Sequence, residues 1–135
     1  MAERDFKCFL YDFFKSGRNL YFVWTEEGEW LSALRLTDRL EFYILEALET
    51  KPDRRRMGYA QKLFSAAVEY LLARGPVTIR DNVSKKNEIS LSWHKKCGFS
   101  IDSGDSNNSC YGMLFRQDWG SQPLAAHFPA TSRLR

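Results

Sequence analysis

The stretch from Leu20 to Thr25 is rich in β-forming residues, "EEGE" follows as a turn, and "WLSALRL" resumes the apolar pattern. Asp38-Arg39 then separates it from a longer run, "LEFYILEALET". Three such runs with short connections predict an antiparallel meander. Pro52 lacks a backbone donor and closes the third strand. Ahead of the meander, Phe6, Phe9, Leu10, Phe13 and Phe14 recur at helical spacing after Asp5, and Ser16-Gly17 ends the pattern. That spacing predicts an amphipathic helix.

Beyond Lys51 the period changes. Ala60, Leu63, Phe64, Ala67, Val68 and Leu71 form a 3.6-residue stripe, with Gln61, Lys62, Ser65 and Glu69 pointing elsewhere and Arg74-Gly75 as the stop. "PVTIRDNV" predicts a short strand. Asn87 can cap a second helix carrying Ile89, Leu91, Trp93 and His94, which stops at Gly98. Phe99 to Ile101 and Cys110 to Phe115 predict two closing strands around the loop "DSGDSNNS". The last stretch, "WGSQPLAAHFPATSRLR", has two prolines and no periodicity. The expected organisation is one domain over residues 1–118 and a C-terminal tail over residues 119–135 that lies on a surface. Helices interrupting a mixed sheet place the chain in the α/β (α+β) layer class.

Composition narrows the function classes. The chain has 135 residues, 44% hydrophobic, 15% aromatic and 27% charged, which is the make-up of an ordinary globular domain. A net charge of +3 does not by itself call for nucleic acid. No uncharged apolar run approaches the ~18 residues of a spanning helix, and the N-terminus lacks signal-peptide organisation. Neither a membrane nor an export route is expected, and a reducing cytoplasm is the expected location. Cys8, Cys97 and Cys110 are odd in number and widely spaced, so neither a disulfide framework nor a zinc cluster is expected. His94 and Cys97 form too small a set for a metal. Cys97 reads as a small buried hydrophobe.

Candidate chemistry concentrates in "KPDRRRMGYAQKL", Lys51 to Leu63. Here a strand ends in a loop that feeds a helix N-terminus. The first N–H groups of a helix have no intrahelical partner, and the macrodipole adds partial positive charge there. An anion takes those donors if side chains let it approach. Gly58 has no Cβ and Ala60 only a methyl, so the backbone from Arg56 to Ala60 is open, with Arg55 and Arg56 at the rim. The alternative is a solvated turn in which Gly58 serves backbone geometry alone. The loop is neither a Walker loop, since Gly-Lys-Ser/Thr is missing, nor a Rossmann fingerprint, since a meander strand precedes it.

"LEALETKPDRRRMGYAQKLF" resembles the central motif of the GNAT superfamily, the acetyl-CoA-dependent N-acetyltransferases, with Arg55, Gly58 and Ala60 in the loop pattern and Thr50 and Pro52 at the strand exit. "NEISLSWHKKCGF" resembles that family's later motif through Asn87, Lys96, Gly98 and Phe99. The resemblance spans residues 20–116 and includes the order of elements. It implies a mixed, mostly antiparallel twisted sheet flanked by helices. The strands ending near Thr50 and Val83 should splay apart so that the pantetheine arm of acetyl-CoA, the expected co-substrate, inserts between them.

Backbone groups of Leu48, Glu49 and Thr50 would then pair with the arm. Those of Arg56, Met57, Gly58, Tyr59, Ala60 and Gln61 would hold the pyrophosphate, and Asn87 would hydrogen-bond the arm. An N–H near Leu48 would stabilise the thioester oxyanion, a donor worth ~3 kcal/mol in other enzymes. Glu46, placed by the two-residue period on the face of Leu48 and Thr50, is the candidate base for the amine; the alternative is a structural or substrate-orienting carboxylate. Glu49 points to the other face, although a β-bulge could reverse that parity. For protonating the thiolate the family usually has Tyr seven residues after the Asn; His94 stands there, as a donor or as an ordinary helix histidine.

The family's fold usually opens with a strand and two helices that wall the acceptor site, and nineteen residues precede Leu20. A shortened N-terminal region is therefore expected: either the acceptor site is open, or a partner subunit in a homodimer or the tail, with Trp119 and Phe128, completes it. The reading is N-acetyl transfer from acetyl-CoA to a primary amine of a small molecule or peptide by direct attack, without a metal. An acyl-CoA sensor of the same fold without turnover is the alternative. A nucleic-acid binder using Arg54 to Arg56 with Lys85-Lys86 ranks last, because no base-stacking aromatics accompany them.

Overall fold

The computed structural model of the chain describes the backbone of residues 4–11 and all atoms of residues 18–118. Seven strands form one sheet: β1 (Arg4–Tyr11), β2 (Asn19–Glu26), β3 (Glu29–Asp38), β4 (Tyr43–Thr50), β5 (Val77–Ser84), β6 (Ser100–Asp102) and β7 (Cys110–Gln117). Their order across the sheet is β1-β2-β3-β4-β5-β7-β6. Every neighbouring pair is antiparallel except β4 and β5, which run parallel. Helix α1 (Tyr59–Leu72) connects β4 to β5, and α2 (Glu88–Cys97) connects β5 to β6. This is the mixed, mostly antiparallel sheet with flanking helices that the sequence predicts.

The meander forms because its turns suit it. Glu27 and Gly28 have φ of 53° and 80°, the paired left-handed residues of a two-residue hairpin turn that matches strand twist. Leu20, Phe22, Leu34, Leu36 and Leu45 line one sheet face and meet the α1 stripe of Leu63, Phe64, Ala67, Val68 and Leu71. Phe64 joins the two helices to β7: its ring centroid lies 5.7 Å from that of Trp93 and 5.2 Å from that of Phe115. Both helices stop where expected, and the α2 cap Gly98 sits at φ 107° with its N–H on the carbonyls of His94 and Lys95.

The expected N-terminal helix is overturned. Arg4–Tyr11 is a strand, paired with β2 from Arg4↔Glu26 to Tyr11↔Asn19. Phe6, Phe9 and Leu10 fit a helical spacing, but Phe6, Cys8 and Leu10 also alternate. The register sets these three opposite Trp24, Phe22 and Leu20. An open edge on β2 decides between the two periods, because it offers a ladder of backbone partners that only an extended segment can use. Phe13, Phe14 and the tail at 119–135 with Trp119 and Phe128 lie outside the described residues. Among the described residues no helix is long and apolar enough to cross a membrane.

Candidate active site between two diverging strands

The parallel pairing of β4 and β5 is short. Only Tyr43↔Ile79 and Ile44↔Arg80 are in register, although β4 continues to Thr50 and β5 to Ser84. Past Ile44 the strands diverge, and a wedge opens between them. β3 takes the other edge of β4 and β7 the other edge of β5. The wedge is therefore bounded by strand edges without a partner strand, which an extended ligand can pair as an added strand does.

Which β4 groups face the wedge follows from the ladder. The Lys51 N–H donates to the Leu31 carbonyl at 2.8 Å, and Ser32 Oγ donates to the Glu49 carbonyl at 3.1 Å. In an antiparallel ladder these orientations alternate. The backbone groups of Glu49 therefore face β3, and those of Leu48 and Thr50 face the wedge. This corrects the expectation for Glu49, whose backbone is turned away from the space where a cofactor arm would lie.

The side-chain faces also differ from expectation. The register passes from Leu36↔Leu45 to Arg35↔Ala47 and leaves Glu46 without a partner residue. This bulge reverses the parity of the strand. Leu45 and Leu48 both pack on the core, while Glu46, Ala47 and Glu49 are exposed. Glu46 and Leu48 thus occupy opposite faces, contrary to the two-residue rule applied to the bare sequence. The Glu46 carboxylate lies 3.8 Å from the Arg35 guanidinium.

Below the wedge, Lys51 leads into a 3₁₀ turn at Pro52–Arg54. Arg56 has φ 65° and Gly58, the N-cap of α1, has φ 82°. No side chain caps the helix at Gly58, and Lys62 N–H is the first to bond back, to the Gly58 carbonyl at 3.0 Å. The N–H groups of Tyr59, Ala60 and Gln61 precede that bond and have no intrahelical acceptor. No heavy atom lies within 4 Å of where a Gly58 Cβ would stand. The three arginines divide: Arg54 joins Glu29 at 3.7 Å and Asp53 at 3.2 Å, while Arg55 and Arg56 are exposed and make no ion pair among the described residues. Met57 is 56% exposed, so it covers little of the loop. The Gln61 amide reaches the Lys96 carbonyl at 3.5 Å and bridges the two helices.

Asn87 caps α2 through Oδ1, which accepts the Ser90 N–H at 3.0 Å, leaving its amide N–H groups for another partner. His94 lies one helical face below and is 3% exposed. Its Nδ1 donates to the Ser90 carbonyl at 2.7 Å, and its Nε2 meets Asp81 Oδ2 at 2.6 Å. A carbonyl only accepts, so the 2.7 Å contact is made by an Nδ1–H, and the carboxylate takes up Nε2. Neither ring nitrogen is free to face the wedge. Asp81 was not singled out by sequence reasoning, yet a signal existed: it shares the inward face of β5 with Val77, Ile79 and Val83, where an unpaired carboxylate is costly. It is also the first β5 residue past the paired stretch, so the Asp81–His94 contact pins α2 at the root of the wedge.

Cys97 packs against the core, and burial pushes its thiol up to about 12. The thiolate is the nucleophile, so at pH 8 on the order of one molecule in ten thousand would present it. Iodoacetamide should alkylate Cys97 at least ~100-fold more slowly than a free small thiol, read by peptide mass spectrometry. Among the described residues no cluster of His, Cys, Asp and Glu is arranged to hold a metal.

Comparison with known proteins adds a family-level finding. The model of the acetyltransferase (GNAT) family matches residues 2–99. Similar solved structures include the ribosomal-protein-S18-alanine N-acetyltransferase of Escherichia coli, at 18% identity and TM-score 0.65, covering 78% of this chain and 73% of that one. PaiA N-acetyltransferase of Thermoplasma acidophilum in complex with coenzyme A has 18% identity and TM-score 0.65, covering 73% of this chain and 61% of that one. A mutant SpeG spermidine N-acetyltransferase of Vibrio cholerae has 15% identity and TM-score 0.60, covering 73% of this chain and 64% of that one. The matched region is thus less than two thirds of the latter two chains. No curated protein sequence matches the chain.

Proposed function

Because the chain belongs to the GNAT acetyltransferase family, we propose that it transfers the acetyl group of acetyl-CoA to a primary amine by direct attack in a ternary complex. The observation that carries this reading is the wedge between β4 and β5 lying above an uncapped helix N-terminus. A ligand with an extended, amide-bearing arm and a pyrophosphate fits that combination. The backbone groups of Leu48 and Thr50 pair with the arm as an added strand. The N–H groups of Tyr59, Ala60 and Gln61 hold the pyrophosphate, with Arg55 and Arg56 supplying charge. The Asn87 amide N–H groups reach an arm carbonyl. One similar structure, PaiA N-acetyltransferase, is a complex with coenzyme A.

The Leu48 N–H, aimed into the wedge, stabilises the oxyanion of the tetrahedral adduct. An acceptor ammonium must lose a proton before it attacks and a second one after the N–C bond forms. Glu46 takes the first, directly or through water, and the bulge exposes it on the open sheet face for this purpose. The departing thiolate takes up one proton, and those released by the amine suffice for it. A dedicated acid is not required, so we assign His94 to holding α2 on β5 in place of donating. Glu46 and Glu49, both exposed on the same face, favour a cationic acceptor. The neighbours named for spermidine and for a ribosomal-protein-S18 alanine fit that class.

The test is thiol release from acetyl-CoA with a panel containing spermidine, an N-terminal alanine peptide and a lysine peptide. Release with any of them establishes turnover; coenzyme A binding without release from the whole panel would support the acyl-CoA sensor. Glu46→Gln should lower kcat/KM by about 10²-fold. A rise in KM with kcat unchanged would make Glu46 a substrate-orienting group.

A further inference from the structure

The β2–β3 hairpin lies outside the wedge, yet its end is tied to the phosphate loop at three points. Glu29, the first residue of β3, holds the Lys51 ammonium in a close ion pair and the Arg54 guanidinium at 3.7 Å. Glu26, the last residue of β2, accepts the Tyr59 hydroxyl proton at 3.2 Å through Oε1 and the Trp24 indole N–H at 3.3 Å through Oε2. A backbone bond from Lys51 N–H to the Leu31 carbonyl at 2.8 Å continues the same seam. Lys51 and Arg54 bracket the 3₁₀ turn, and Tyr59 is the first residue of α1. The hairpin therefore holds the loop on both sides of Arg55 to Gly58, where the backbone takes left-handed φ at Arg56 and Gly58.

Two carboxylates placed beside a loop that binds an anion present an electrostatic problem. Glu26 and Glu29 each repel phosphate, and Glu29 also occupies two cations that could otherwise bind it directly. Their presence makes sense if loop geometry outweighs local charge. A left-handed Arg56 is uncommon for a residue with a side chain and persists only where its surroundings hold it.

We infer that the β2–β3 hairpin is a clamp that positions the phosphate loop, with Glu29 and the Glu26–Tyr59 pair as its positioning residues. The inference rests on the coenzyme A reading of the site and adds the elements that shape it. Holding the loop ready lowers the ordering cost of binding, and that gain exceeds the repulsion from the two carboxylates.

The two effects have opposite signs in one experiment. Glu29→Gln removes a negative charge, frees Lys51 and leaves Arg54 with Asp53 alone. Electrostatics alone would tighten coenzyme A, whereas loss of the clamp loosens it. Calorimetric titration of the whole chain with coenzyme A should show about a three- to ten-fold weaker affinity for Glu29→Gln. Adenosine diphosphate, which carries the pyrophosphate without the pantetheine arm, should weaken by the same factor in competition. Tyr59→Phe, which leaves charge and ring in place, should weaken both ligands in the same direction, with the thermal midpoint of the unliganded protein recorded beside each variant. Unchanged or tighter coenzyme A binding in Glu29→Gln overturns the clamp. A loss seen with coenzyme A and absent with adenosine diphosphate also overturns it, since the effect would then lie in the wedge. If the unsubstituted chain binds neither ligand, the coenzyme A reading itself falls, and the clamp with it.

Discussion

Gly58→Val should abolish measurable coenzyme A binding, lowering affinity by more than about 100-fold, while the chain remains folded. The residue sits at φ 82°, a conformation that a β-branched side chain rarely adopts, so the substitution strains the turn before any ligand arrives. No heavy atom stands within 4 Å of the position a Cβ would take, so the strain is not relieved by new packing. The branched side chain instead fills the space beside the N–H groups of Tyr59, Ala60 and Gln61 that a phosphate must reach. Hydrogen bonds to a charged group contribute about 1.5–3 kcal/mol each, and losing two gives the stated factor. Gly58→Ala adds only a methyl and should fall between the two. Titration calorimetry reads both; an unchanged affinity in Gly58→Val would remove the loop from the cofactor site. Circular dichroism of the unliganded variant separates this from unfolding.

His94→Phe should cost about 2–4 kcal/mol of folding stability and change turnover per folded molecule less than ten-fold. The physical cause is the carboxylate left behind. Asp81 lies on the inward face of β5, half-buried, and meets His94 Nε2 at 2.6 Å, and breaking such a pair leaves a partly desolvated carboxylate without its partner. Phenylalanine fills the imidazole's space beside Trp93 and Phe99, whose centroids lie 4.9 Å and 4.8 Å from it, so little packing is lost. In the double variant Asp81→Asn with His94→Phe, the stranded charge is gone and part of the stability should return. Urea denaturation reads the stability, and thiol release reads the turnover. A loss of kcat by 10² or more with stability unchanged would restore His94 as the proton donor to the thiolate.

These two residues show how differently sequence speaks about a site. The loop before α1 is legible because its signal is local: a strand exit, Pro52, a glycine at the helix start and the stripe from Ala60 to Leu71 all lie within one short stretch. The hydrogen-bond donors belong to the backbone, so their positions follow from where the helix begins. His94 is different. Its place after Asn87 resembles a catalytic position, but its ring nitrogens are taken up by Ser90, through the carbonyl and the hydroxyl, and by a carboxylate thirteen residues upstream on β5. The same residue type serves either role, and only the contact decides.

The N-terminal segment and Glu46 failed for a related reason. Phe6, Phe9 and Leu10 satisfy a helical spacing, and the choice of strand was made by the edge of β2. The parity of Glu46 was counted along an ideal strand, whereas the register between β3 and β4 skips it. A bulge is a property of two strands, so a count along one of them misses it.

The sequence by itself therefore determined the meander from Leu20 to Thr50, both helices with their glycine stops, and the open loop that starts α1 at Gly58, because each is written in neighbouring residues and short-range backbone geometry. Tertiary structure decided the rest. It made Arg4–Tyr11 a strand, turned Leu48 and Thr50 toward the wedge and Glu49 away from it, put Glu46 and Leu48 on opposite faces, and joined Asp81 to His94 and Glu29 to Lys51 and Arg54. Each of these depends on a partner distant along the chain, and a pairing between distant residues is chosen by register and packing.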